Sequence, residues 1–177
     1  MVYLFYKADA VPPASPEPAQ SPSRRYTLWR PSPTRLVPVP GAGARTLVWW
    51  LFHYGRVFTN RDYCVLLVRE GDKFVHRAIV SPRYFRFPFM AQDDLQVGDV
   101  WTAPSQRGRG IASSALRHII AFLAKPGRRF WYVTTEDNLP SRRAAEKAGF
   151  RCVAEGTREP RLGFRILGQY RITSPKP

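Results

Sequence analysis

The tightest constraint on how this chain folds is the turn Arg107-Gly108-Arg109-Gly110, because the segments on its two sides have different periods. Before it, Leu95 to Thr102 carries apolar residues at 95 and 97 and, past Gly98, at 100 and 101, which is a strand with an expected bulge at the glycine. Pro104 and Ser105 end that strand. After it, Ile111, Ala115, Ile119, Phe122 and Leu123 recur at helical spacing with Arg117 and His118 between them, so an amphipathic helix runs toward Pro126-Gly127. The first amides of such a helix lack internal partners and its dipole is positive there, so the turn can hold a phosphate if no side chain blocks the approach. Gly108 and Gly110 leave the approach open, and Arg107 and Arg109 add charge. A flexible, soluble turn is the plainer reading of these residues alone. A P-loop is excluded by the missing Lys-Ser/Thr pair, and a dinucleotide fingerprint by the glycine spacing.

A second unit follows. Phe130 to Thr135 (Phe-Trp-Tyr-Val-Thr-Thr) is a β-rich run suited to a buried strand, broken by Glu136-Asp137-Asn138. Ser141 to Ala148 then reads as a short helix with Ala144, Ala145 and Ala148 inward, stopped by Gly149, and Phe150 re-enters the core. Taken alone this is an ordinary strand-turn-helix-strand unit.

In their order and spacing the two segments resemble the signature of the GNAT superfamily, enzymes that move an acyl group from coenzyme A to an amine. The family pattern of Gln or Arg, two free positions, Gly, one free position, then Gly or Ala is met by Arg107, Gly110 and Ala112. The resemblance implies a mixed α/β fold with a central, largely antiparallel sheet of six to seven strands flanked by helices. It implies acetyl-CoA as acyl donor, without metal, with the pyrophosphate on Arg107, Gly108, Arg109, Gly110, Ile111 and Ala112. It further implies that the backbone of Val100, Trp101 and Thr102 pairs with the pantetheine arm and that Asn138 is a polar contact to it. The tyrosine that many members use to protonate the leaving thiolate is replaced here by Ala145; Ser141, one turn earlier, is a substitute or simply a helix cap.

Transfer to an amine also asks for a base. Asp99, a carboxylate in an otherwise apolar strand, is the first candidate, and His76, within a neighbouring strand, the second. A solvent-facing Asp99 and a hydrogen-bonded structural His76 are the plain alternatives. Trp101 is either core or a cleft wall that limits acyl length.

The 177 residues suit one domain. Nine of the thirty residues from 11 to 40 are proline, so residues 1–24 are expected to be a partly extended arm, with the acyltransferase domain over 25–177. Within the arm, Val2 to Tyr6 could add an edge strand or dock on a second subunit, making a homodimer. Tyr26 to Trp29 is expected as an edge strand because of Pro31 and Pro33, Arg45 to Phe58 as a helix, and Tyr63 to Val80 as a hairpin turning at Gly71. The long aromatic segment Ser81 to Asp94 fits an acceptor pocket, a partner surface, or a loop packed onto the core. Arg151 to Ala154 and Phe164 to Ile172 complete the sheet.

Cys64 and Cys152 lie in strand-like runs with neither metal-ligand spacing nor a disulfide framework, which places the chain in a reducing cytoplasm. The net charge of +15 favours anionic partners without choosing among them. Two functions therefore stand: an N-acetyltransferase acting on a small amine such as an amino sugar, or on a protein amine, and a basic nucleic-acid or ribosome-associated module using Arg107, Arg109, Arg128, Arg129, Arg142 and Arg143.

Overall fold

The computed structural model describes residues 1–10, 24–35, 45–161 and 163–176. Eight strands form one sheet: β1 (Tyr3–Asp9), β2 (Arg24–Trp29), β3 (Cys64–Glu70), β4 (Lys73–Pro82), β5 (Leu95–Thr102), β6 (Arg129–Thr135), β7 (Arg151–Arg161) and β8 (Phe164–Pro175). Their spatial order is β2-β3-β4-β5-β6-β1-β7-β8. Every neighbouring pair is antiparallel except β5 with β6. This is the expected mixed α/β sheet with eight strands instead of six or seven.

The additional strand is β1, in the stretch expected as an arm. Tyr3–Asp9 is neither an arm nor an edge strand: it lies between β6 and β7, with Tyr3 to Asp9 paired to Thr135 to Arg129 on one side. Alternation explains its place. Leu4, Tyr6 and Ala8 enter the core on one face of the sheet while Phe5 enters the core on the other, so both faces of this strand are buried. The proline-rich stretch 11–23 lies outside the described residues.

Helices α2 (Ile111–Leu123) and α3 (Leu139–Lys147) cover one face, where Ile111, Ala115, Leu116, Ile119 and Ala145 pack on Leu66, Val80, Val97, Phe130 and Tyr132. The opposite face is covered by α1 (Arg45–Tyr54) and the segment 83–94. That segment settles as a packed loop: Tyr84, Phe87 and Met90 are buried against Phe5, Tyr63 and Trp131, and Phe87 stacks on Tyr170 at 5.3 Å. Asp94 anchors its end, accepting hydrogen bonds from the Ala91 amide (2.9 Å) and from Trp131 Nε1 (2.8 Å) and pairing with Arg129 (3.2 Å). Cys64 is buried and Cys152 half-buried, both as free thiols.

Candidate functional site

The site follows from how β5 leaves its neighbours. Toward β4, two residues, Asp99 and Val100, stand opposite Ala78 alone, because Gly98 pairs with Ile79 and Trp101 with Arg77. The extra residue makes a bulge at Asp99, whose φ is 46°, one position beyond the expected glycine. It also resets the alternation, so that Val100 and Val97 meet the same core. Toward β6, pairing holds only for Leu95, Gln96 and Val97. Past the Val97–Tyr132 pair the two parallel strands diverge, and the edge of Val100 to Thr102 facing β6 has no strand partner there.

A cavity of about 660 Å³ opens at this fork. Its walls are Val100, Trp101 and Thr102 of β5, Tyr132 of β6, the turn and first residues of α2, and the inner side of α3 from Asn138 to Lys147. The turn is built as its sequence demands. Gly108 (φ 78°) and Gly110 (φ 73°) both adopt the left-handed region, and Gly110 caps α2 with its carbonyl accepting from the Ser114 amide (3.0 Å) and Ser113 Oγ (2.9 Å). The amides of Ile111 to Ser113 precede the first such bond and open the helix at the cavity. Arg107, Arg143 and Lys147 line the cavity and, among the described residues, no carboxylate does, so its field suits a polyanion.

Of the residues nominated from sequence, Val100, Trp101, Thr102, Arg107, Gly108, Gly110, Ile111, Ala112, Asn138 and Ser141 converge here. Arg109 does not line the cavity; it turns to Gln106 and to Glu70 at 3.6 Å. Asn138 caps α3, its Oδ1 accepting from the Ser141 amide at 3.2 Å, so Ser141 is not the cap. Trp101 stacks on Phe74 at 5.6 Å while still reaching the cavity wall.

The two nominated bases lie outside the lining. Asp99 is not in the apolar setting expected of it: its side chain is 42% exposed and pairs with Arg77 at 3.5 Å. His76 is 0% exposed, and burial lowers its pKa to about 4. Its Nδ1 lies 2.8 Å from Thr102 Oγ1, and its Nε2 has no partner among the described residues.

Sequence reading missed Tyr132. Its place in the run 130–135 marks it as buried, and only the fork shows that its burial is in a cavity wall. The basic set of the nucleic-acid reading disperses: Arg128 is 1% exposed and held by Asp62 and by the carbonyls of Asp93 (2.9 Å) and Leu123 (2.8 Å). Arg129 pairs with Asp94, and Arg142 reaches Tyr6 and the Glu136 carbonyl.

The family model for the acetyltransferase (GNAT) family matches residues 23–150. Solved structures share the fold at low identity. A GNAT-family protein of Novosphingobium aromaticivorans is 21% identical with a TM-score of 0.52, the match covering 87% of this chain and 60% of that one. An acetyltransferase of Colwellia psychrerythraea is 18% identical with a TM-score of 0.52, covering 87% and 53%. An N-acetyltransferase of Sphaerobacter thermophilus is 18% identical with a TM-score of 0.53, covering 87% and 49%. This chain thus spans roughly half of each larger protein. No curated protein matches it. With 128 consecutive positions fitting the family model, around a forked parallel strand pair and a glycine turn, the chain belongs to the acetyltransferase (GNAT) family.

Proposed function

We propose that the chain is an acetyl-CoA-dependent N-acetyltransferase of the cytoplasm that acts on a small primary amine. The observation carrying this reading is the fork between β5 and β6, which leads from an unpaired strand edge to a helix start ringed by Arg107, Arg143 and Lys147. These residues fit coenzyme A: the edge of Val100 to Thr102 can pair with the amides of a pantetheine arm, and the glycine turn can take the pyrophosphate. Among the described residues no cluster suits a metal ion. When bound, acetyl-CoA supplies the activated acyl group. The chain's own share is to align the thioester along β5 and to bring the amine to it in an orientation that makes the attack unimolecular. His76 holds Thr102 Oγ1 fixed at the wall. Both nominated bases stand outside the lining; Asp99 remains the better candidate, since it is solvent-open beside Val100 whereas His76 is buried behind Thr102 and burial makes it a weak base. An anionic acceptor, such as an amino sugar linked to a nucleotide, suits the charge of +15.

Calorimetric titration of the chain with acetyl-CoA, beside one with mixed RNA, tests the reading. A saturable single-site isotherm with acetyl-CoA is expected, and only weak, salt-sensitive heats with RNA. A folded protein that binds RNA but not acetyl-CoA would restore the nucleic-acid reading.

A further inference from the structure

His76 is too deeply buried and too weak a base to take a proton from an amine, yet it meets the cavity wall from behind through Thr102. We infer that His76 is a positioning residue: its Nδ1–H donates to Thr102 Oγ1 and so leaves the Thr102 hydroxyl hydrogen for a carbonyl oxygen of the pantetheine arm. This rests on the acetyl-transfer reading and deepens it at one residue of the same site.

Strand register sets the pair up. His76 on β4 stands directly opposite Thr102 on β5 and directly opposite Val68 on β3. Opposed residues share a face of the sheet, and Val68 belongs to the core under the helices, so His76 and Thr102 lie on that face. There His76 is fully buried, with Nδ1 2.8 Å from Thr102 Oγ1. Burial keeps the ring neutral at physiological pH, so one nitrogen carries hydrogen and the other a lone pair. Among the described residues Nε2 has no partner. An N–H buried without an acceptor is a costlier orphan than a bare lone pair, which favours the hydrogen on Nδ1. Nδ1–H then occupies a lone pair of Oγ1, and the hydroxyl hydrogen turns away from the ring.

The backbone of Thr102 reaches the same cavity. The Ala103 amide bonds to the Val75 carbonyl at 2.9 Å on the β4 side, so by strand alternation the N–H and C=O of Thr102 face the open edge toward β6. At that edge Arg107 Nε donates to the Thr102 carbonyl at 3.3 Å. With this carbonyl engaged by Arg107 and the hydroxyl oxygen by His76, Thr102 offers the cavity two donors, its amide and its hydroxyl. Two donors on one residue select an acceptor oxygen. The amide carbonyls of the pantetheine arm supply one, whereas the pyrophosphate belongs, in the same reading, to the glycine turn.

The first measurement needs no variant and no ligand. In wild type with isotope-labelled histidine, long-range proton–nitrogen correlation spectra report which nitrogen of His76 carries hydrogen; Nδ1–H is expected, and Nε2–H overturns the inference. Calorimetry then reads binding of acetyl-CoA and of ADP, which carries a pyrophosphate but no arm. Thr102→Val should weaken acetyl-CoA about 2- to 12-fold and leave ADP unchanged, and Thr102→Ser should bind both as wild type does. His76→Leu should reproduce the loss, and His76→Asn, whose amide can donate from the place of Nδ1, should restore most of it. Unchanged acetyl-CoA affinity in folded Thr102→Val, or an equal loss of ADP, overturns the role of the hydroxyl. Equal losses in folded His76→Leu and His76→Asn overturn that of His76. Should the His76 variants not fold, the wild-type spectrum and the Thr102 variants carry the test. If wild type binds no acetyl-CoA, the acetyl-transfer reading falls first and this inference with it.

Discussion

Gly110 separates backbone geometry from charge at the proposed phosphate site. Its φ of 73° is one that a side chain resists, yet a Cβ added there meets nothing nearer than Ser113 Oγ at 3.9 Å. Gly110→Ala therefore carries a conformational cost of about 1–2 kcal/mol without a clash, and that cost appears as lost stability. Gly110→Gln adds bulk at the helix start, and Gly110→Glu adds bulk with a charge. A carboxylate about 5 Å from a phosphate repels it by about 1–3 kcal/mol for effective dielectric constants between about 80 and 20. Relative to Gln, then, Glu should weaken acetyl-CoA binding by about 5- to 150-fold. The gap should narrow as salt is raised, because this cavity is open to solvent and its charges are screened. Titration calorimetry at two salt concentrations, with circular dichroism to confirm folding, reads the whole series. Equal affinities for the Gln and Glu variants, at low salt and in folded protein, would mean that no phosphate approaches this turn.

Other consequences are stability measurements. His76 titrates near 6.5 when unfolded and near 4 when folded, so the unfolded state binds more protons between those values. Its contribution is complete above pH 6.5 and about 3 kcal/mol is lost as pH falls to 4; His76→Gln should flatten that part of the urea-midpoint curve, and parallel curves would refute the assignment. Asp94→Ala leaves the Trp131 and Ala91 N–H groups without their acceptor and should cost about 3 kcal/mol or more, read as a fall in the denaturation midpoint. Deleting residues 1–10 removes an interior strand and should abolish cooperative unfolding and acetyl-CoA binding together. A truncated chain that still binds would return these residues to the status of an arm.

What the sequence conveyed and what it withheld divide along a physical line. Local rules sufficed for α2, α3 and the β3–β4 hairpin, because periodicity, capping residues and a glycine turn act within a few positions. The glycine turn was legible for the same reason: Gly108 and Gly110 report backbone geometry directly. Tyr3–Asp9 was not, since a strand followed by prolines looks detachable until its partners, 120 residues or more away, are known. Its burial on both faces was written in the unbroken run Tyr-Leu-Phe-Tyr, a pattern of interior strands that the proline stretch obscured. Asp99 shows the same limit at the site. An acid among apolar residues suggests a buried carboxylate, but an extra residue in the strand turned it out to Arg77 and solvent. Burial of Tyr132 was foreseeable from its neighbours. Its place in a cavity wall was not, because that depends on where β5 and β6 cease to pair.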